Sequence, residues 1–193
     1  MDNYGKAKSQ PIDRLSGGPF DVTELVQVRP TIDFGAIQLP MRDDVTYKLE
    51  VESSTNKIVA LTVEHKGSTL QLQAFSAPGA EGVWHEIRAS LEQSILAQGG
   101  KTEGVVGPLG PELNAQIPTS DGGTRLAKFI GVDGPKWFLR GVITGLALGD
   151  TLSMSHVIEI FRSAVVIRGS SPMPPKELLE LVAPSGAQKS VSK

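Results

Sequence analysis

From Tyr47 to Val51 apolar and polar residues alternate, Leu49 standing between Lys48 and Glu50, the period of a strand with one buried face. Ser53-Ser54-Thr55-Asn56 supplies turn chemistry, and a second alternating run from Ile58 to His65 puts Val59, Leu61 and Val63 on one face. After Lys66-Gly67-Ser68, Leu70, Leu72 and Ala74 form the inner face of a third strand. Connections this short force neighbouring strands to run antiparallel, because a parallel return needs a dozen or more residues. Past Pro78-Gly79 the period changes: Trp84, Ile87, Leu91 and Ile95 recur at helical spacing, predicting a helix from Val83 to Gln98. Its outward Arg88 and Glu92 have the spacing of an ion pair, and Gly99-Gly100 ends it in a left-handed turn.

Strand signals then return. Thr102 to Val106 is a short strand, Leu113, Ala115 and Ile117 alternate, and Ala127–Val132 and Lys136–Ile143 flank Asp133-Gly134-Pro135 as a hairpin. In that turn Gly134 is expected at positive φ, and Pro135 at the start of a strand, where its missing donor does least harm. Ser153 or Ser155 is the expected cap of a second helix through Val157, Ile158, Ile160, Phe161 and Ala164. Val165–Arg168 reads equally as a strand or as the end of that helix, and Lys176–Leu181 as one closing helical turn. The order βββ-α-ββββ-α predicts an α+β fold: a curved antiparallel sheet, or sheets, of about seven strands with two main amphipathic helices packed on it.

Composition sets the limits of the domain. Residues 1–18 and 183–193 are polar with isolated apolar positions, so both are expected to be disordered tails around one domain at 19–182. With 19 Lys and Arg against 21 Asp and Glu, the formal charge of −2 supplies no global field for nucleic acid or an anionic membrane. There is no cysteine, hence no disulfide, thiolate metal site or thiol nucleophile. No apolar run approaches the roughly 18 residues of a membrane span. Without a signal-peptide core at the start, the expected location is the cytoplasm.

Motifs for chemistry fail on spacing. Gly100-Lys101-Thr102 resembles the end of a phosphate loop, but Ile95 stands where the first glycine belongs and the triplet follows a helix. His65, His85 and His156 are dispersed, and Ala89 stands where a zinc-protease helix repeats its histidine. No serine lies in a nucleophile elbow. Glu50 and Glu52 alternate on the outer face of their strand, where solvation is expected. Catalytic residues, metal ligands and cofactors are therefore predicted as none.

Two surfaces remain. Thr69, Gln71 and Gln73 form a polar stripe opposite Leu70 and Leu72, and glutamine both donates and accepts, which suits a partner or a buried polar layer. The 129–141 hairpin has apolar residues on both faces, so Arg140 on it needs a carboxylate or backbone partner. These surfaces define three readings. The first is a non-enzymatic protein-interaction module acting through Gln71 and Gln73. The second is a small-molecule or anion-binding domain with its site at Asp133, Lys136, Trp137 and Arg140. The third is an auxiliary factor of nucleic-acid metabolism. This last is the thinnest, because Lys128-Phe129-Ile130-Gly131-Val132 lacks the second aromatic and aromatic content is 5%.

The residues also carry a resemblance. Gly18-Pro19-Phe20-Asp21, Asp33-Phe34-Gly35-Ala36-Ile37 with Leu39-Pro40, and Leu70-Gln71-Leu72-Gln73-Ala74-Phe75 are similar to an actinobacterial family catalogued as domain of unknown function 3710. So are Ala97–Gly100, Lys128–Pro135, Trp137-Phe138-Leu139-Arg140, Val165–Gly169 and Met173-Pro174-Pro175. Lys128 stands where the family pattern has arginine, which keeps the charge but not the bidentate geometry. The resemblance implies an actinobacterial cytoplasmic protein, with both chain ends outside the family domain, and no activity.

Overall fold

The computed structural model describes residues 6–25 and 29–185. The short helix α1 (Arg14–Gly17) leads into β1 (Phe20–Asp21), β2 (Thr31–Asp33) and β3 (Ile37–Pro40). Three antiparallel strands follow, β4 (Thr46–Glu52), β5 (Lys57–His65) and β6 (Ser68–Ser76), then helix α2 (Trp84–Ala97). Four more hairpin-connected strands come next: β7 (Lys101–Gly107), β8 (Gly110–Pro118), β9 (Thr124–Asp133) and β10 (Trp137–Gly145). Helix α3 (Thr151–Arg162) and β11 (Val165–Val166) complete the order.

The two meanders join side by side. β10 pairs antiparallel with β6 as well as with β9, giving one seven-stranded sheet in the order β4-β5-β6-β10-β9-β8-β7. The open antiparallel sheet of an α+β fold is as expected. A second sheet is not: β1-β11-β3-β2 form four short strands, with β1 parallel to β11. Strands of two to four residues carry too little alternation to be read from sequence. The Val165–Arg168 ambiguity resolves as a strand of two residues.

Each face of the large sheet has its own core. On one face Leu61, Leu72, Leu139 and Ile143 meet Val157 and Phe161 of α3 and Ile37 and Leu39 of the small sheet. On the other, Trp84, Ile87, Leu91 and Ile95 of α2 pack on Leu113, Ala115, Phe129 and Phe138. Trp84 stacks on Phe138 with ring centroids 5.6 Å apart, and its indole Nε1 donates to the Pro111 carbonyl at 2.7 Å. Gly131 lies against this stack because a Cβ there would come within 2.6 Å of Trp84 and 2.7 Å of Phe138.

Several local expectations are corrected. The 8–18 stretch is no solvated tail: Asp133 accepts the Ser9 N–H and donates its own N–H to the Ser9 carbonyl, at 2.9 and 2.8 Å. Arg14, only 6% exposed, makes a bidentate pair with Glu24, both contacts 2.7 Å, and lies over the Trp137 ring. Polar contacts order this strap, which apolar counting misses. Residues 1–5 and 186–193 of the expected tails lie outside the described residues. Asp150, not a serine, caps α3, accepting the Ser153 N–H at 2.8 Å. Gly134 is absent from the positive-φ residues; a side chain there would collide with the Trp137 indole. Glu92 accepts from Thr102 Oγ1 at 3.2 Å rather than pairing with Arg88. Lys176–Leu181 is not helical: after a turn at Lys176 it forms isolated bridges at Leu178 and Leu181 and stitches the sheets together through Leu179 N–H to the Ala74 carbonyl and Ala36 N–H to the Glu180 carbonyl.

Candidate functional site

The residues singled out by sequence divide into two groups. Asp133 and Trp137 are both buried and spent on structure. The Asp133 carboxylate accepts backbone N–H groups from Ser9 and from Val83 at the start of α2, each at 2.9 Å. Burial raises its pKa above the ordinary carboxylate value, against the lowering effect of those hydrogen bonds. The Trp137 indole faces the opposite side of the sheet and donates to Asp21 at 2.8 Å. Lys136 sits exposed in the turn. The expected cluster of Asp133, Lys136, Trp137 and Arg140 therefore does not form one site.

Gln71, Gln73 and Arg140 do come together. Register places Gln73 opposite Arg140 and Gln71 opposite Val142 across the β6–β10 pair, and Gln71 opposite Thr62 across β5–β6. All project from the face that carries α2, which packs mainly on β7, β8 and β9 and reaches β10 through the Trp84–Phe138 stack, with Phe75 of β6 beside it. Over β4 and β5, and over β6 and β10 beyond Phe75 and Phe138, no helix covers that face among the described residues.

The stripe is a ladder of two adjoining hydrogen-bonded groups, one around Glu50 and one around Arg140. Glu50 on β4 accepts from the Thr62 hydroxyl and from Gln71 Nε2, the latter at 2.7 Å. Gln73 Nε2 donates to the Val59 carbonyl at 2.9 Å, and its Oε1 accepts from Arg140 Nη2. Glu50 and Thr62 were missed as site residues; the strand alternation puts Glu50 outward, but only register shows that it meets a glutamine two strands away. Each glutamine is thus held in one orientation by a neighbour.

Charge is what sets the ladder apart. Arg140 is half-buried, and its guanidinium rests 5.4 Å from the centre of the Phe75 ring. The carboxylate partner expected for it is absent among the described residues; its only hydrogen-bond acceptor is Gln73, and its Nε is buried without one. Desolvation pulls its pKa below the usual arginine value. Glu50 likewise has only neutral donors. Three strand spacings separate the backbone positions of Glu50 and Arg140, roughly 14 Å at about 4.8 Å each. The face presents an anion at one end, two oriented amides, and a cation over an aromatic ring at the other. Such an arrangement binds by charge and hydrogen bonding; no nucleophile–base pair lies in it.

Elsewhere His65 is buried with Nε2 3.2 Å from Asp44, and its ring meets that of His156 edge-on at 5.4 Å. No group of three or more metal-ligating side chains occurs among the described residues. Among them no helix is long and apolar enough to cross a membrane.

The model of a family described as protein of unknown function (DUF3710) matches residues 18–190, and the chain belongs to that family. The match runs past the C-terminal limit expected from sequence and takes in most of the stretch read there as a tail. No curated protein and no solved structure matches the chain.

Proposed function

We propose that this protein is a non-enzymatic interaction module that receives an extended segment of a partner protein on the open half of its large sheet. The observation that carries the reading is Arg140, a half-buried guanidinium left without a carboxylate. Holding an uncompensated cation in a partly desolvated site costs stability, and a partner carboxylate entering above Phe75 relieves that cost. Glu50 at the far end of the ladder then takes a basic group. At about 3.4 Å per residue, the roughly 14 Å between the two backbone positions corresponds to an upper limit of about four residues of extended chain. Gln71 and Gln73 lie between and hydrogen-bond to the peptide backbone. The family's actinobacterial membership and a cytoplasmic setting belong to the same proposal; the cysteine-free composition is compatible with the second.

The test is a selection of linear peptides from a random library on the whole chain, with counter-selection on Arg140→Gln. Enrichment of peptides pairing an acidic with a basic residue up to about four positions apart, lost on the variant, is the expected result. A library that yields no such peptides, or peptides that bind Arg140→Gln equally well, overturns the reading.

A further inference from the structure

On the opposite face the large sheet has a second bare region. Where β7, β8 and β9 pass beyond the reach of α3, a groove of about 990 Å³ opens between them and the start of that helix. That volume is at the upper end of the range of small-ligand pockets.

Its two walls differ in kind. Strand register puts Glu103, Asn114 and Lys128 in one row across β7, β8 and β9, with Lys101, Gln116 and Leu126 in the next. The facing wall is apolar, built from Ala147, Leu148, Met154 and Ile158, with the hydroxyls of Thr151 and Ser155 at its end. Lys128 is fixed rather than free: Glu112, 2% exposed, holds its ammonium at 2.8 Å. The second Glu112 oxygen is buried with no partner, and Lys128 lines the groove with its remaining N–H groups uncommitted.

These walls exclude most ligand classes. A sugar would press its hydroxyls against the apolar side without partners, and an acyl chain would strand the amides and ammonium opposite. An anion gains little, because Glu112 already neutralises Lys128 and the groove's remaining cation, Lys101, stands against two carboxylates, Glu103 and Asp150. What fits both walls is a flat ring with an apolar face and a hydrogen-bonding edge. Lys128 supplies a donor for a ring carbonyl, and Asn114 and Gln116 can each donate and accept along that edge.

We infer that this groove binds an uncharged planar nitrogen heterocycle bearing ring carbonyl and N–H groups, the chemical class of the oxo-nucleobases. The site is independent of the ladder around Arg140, which lies on the other face.

The experiment is titration of the whole chain with uridine and guanosine, with adenosine as a ring lacking the carbonyl and indole as an apolar ring, followed by amide NMR and calorimetry. At least one of uridine and guanosine is expected to bind, with adenosine and indole at least about tenfold weaker. Ser155→Trp, which fills the groove from an exposed helix position, should abolish binding. Gln116→Ala, also exposed, should weaken it about fivefold or more and keeps the question open to test if the tryptophan variant does not fold. Arg140→Gln should leave the affinity unchanged, so failure here is separable from failure of the peptide reading. No shift with either oxo-nucleoside at millimolar concentration, indole binding as well as both, or unaltered binding by a folded Ser155→Trp overturns the inference.

Discussion

Arg140→Met separates a guanidinium kept for a partner from one kept for the fold. In the isolated domain the substitution removes the hydrogen bond to Gln73, worth roughly 1.5–3 kcal/mol for a charged donor. It also removes the contact with Phe75, about 0.5–1 kcal/mol at a partly exposed site. Against these stand the buried, unpartnered Nε, which costs roughly 1–3 kcal/mol, and the partial desolvation of the cation itself. Methionine keeps an apolar stem beside Phe75 and adds a sulfur–aromatic contact to that ring of about 0.3–1.5 kcal/mol. Gln73 stays anchored through the Val59 carbonyl. The expected result is a domain unchanged or stabilised by up to about 2 kcal/mol. At about 2–4 °C per kcal/mol for a chain of this size, the melting temperature rises by no more than about 8 °C. Urea denaturation, with the midpoint compared at unchanged slope, and calorimetry measure it at neutral pH. Destabilisation by more than about 1 kcal/mol would refute the reasoning, because it would make Arg140 a net structural contributor in the free protein.

Four further outcomes follow from the structure. Asp133→Ala leaves the Ser9 and Val83 N–H groups buried without their acceptor and is expected to cost about 2–4 kcal/mol, with faster hydrogen exchange across residues 8–18. Because burial raises the folded pKa of Asp133, wild-type stability attributable to it falls as pH rises from the ordinary carboxylate range through that folded value. The destabilisation of Asp133→Asn relative to wild type should therefore narrow over the same range. Glu24 has the opposite sign: its hydrogen bonds to Arg14 hold its pKa below normal, so its contribution is complete above the unfolded value and lost as pH falls through the depressed one. Glu24→Gln should flatten the acid limb of the melting temperature measured from pH 7 down to pH 3. Gly131→Ala forces the Trp84–Phe138 stack apart and should cost about 1–3 kcal/mol, read from tryptophan fluorescence and the denaturation midpoint.

What was legible in the sequence followed from length and period. The strands of the large sheet run from seven to ten residues, long enough for alternation to show, and α2 carries four apolar residues on one stripe. The small sheet escaped because Phe20–Asp21 and Val165–Val166 have no period at two residues each, and their partners are over a hundred positions away. The strap of residues 8–18 escaped for a chemical reason. Its order comes from Asp133, Glu24 and Lys8, whose partners are backbone groups and a guanidinium, and hydropathy is blind to these. At the site, Gln71, Gln73 and Arg140 were each visible as residues out of keeping with their strands. That β10 pairs with β6, across a helix and three strands of sequence, was not visible, and only that pairing turns three separate oddities into one ladder.

The two bare regions have one geometric origin. Seven strands span six spacings, about 29 Å at about 4.8 Å each, while a helix with its side chains is about 10–12 Å across. One helix therefore covers two or three strands and no more. The second meander carries α2 on one face, over β7, β8 and β9. The first meander and β10 carry α3 and the small sheet on the other. Covers offset in this way leave two uncovered quarters diagonally opposed: the α2 side of β4 and β5 with β6 and β10 beyond Phe75 and Phe138, and the α3 side of β7, β8 and the first half of β9. On the α2 side of β4 and β5, Lys48 and Glu64 pair at 2.7 Å as on an ordinary solvated sheet surface. Beside them the same quarter holds Glu50 and Arg140 without counter-ions among the described residues, and the other quarter holds a lysine pinned by a buried glutamate. Holding Arg140 and Glu50 without counter-ions lowers the stability of the empty domain relative to a solvated surface, and the proposed peptide would offset that cost. These uncovered quarters are where the proposed peptide and ligand sites lie, and the offset of the two covers is what leaves them open.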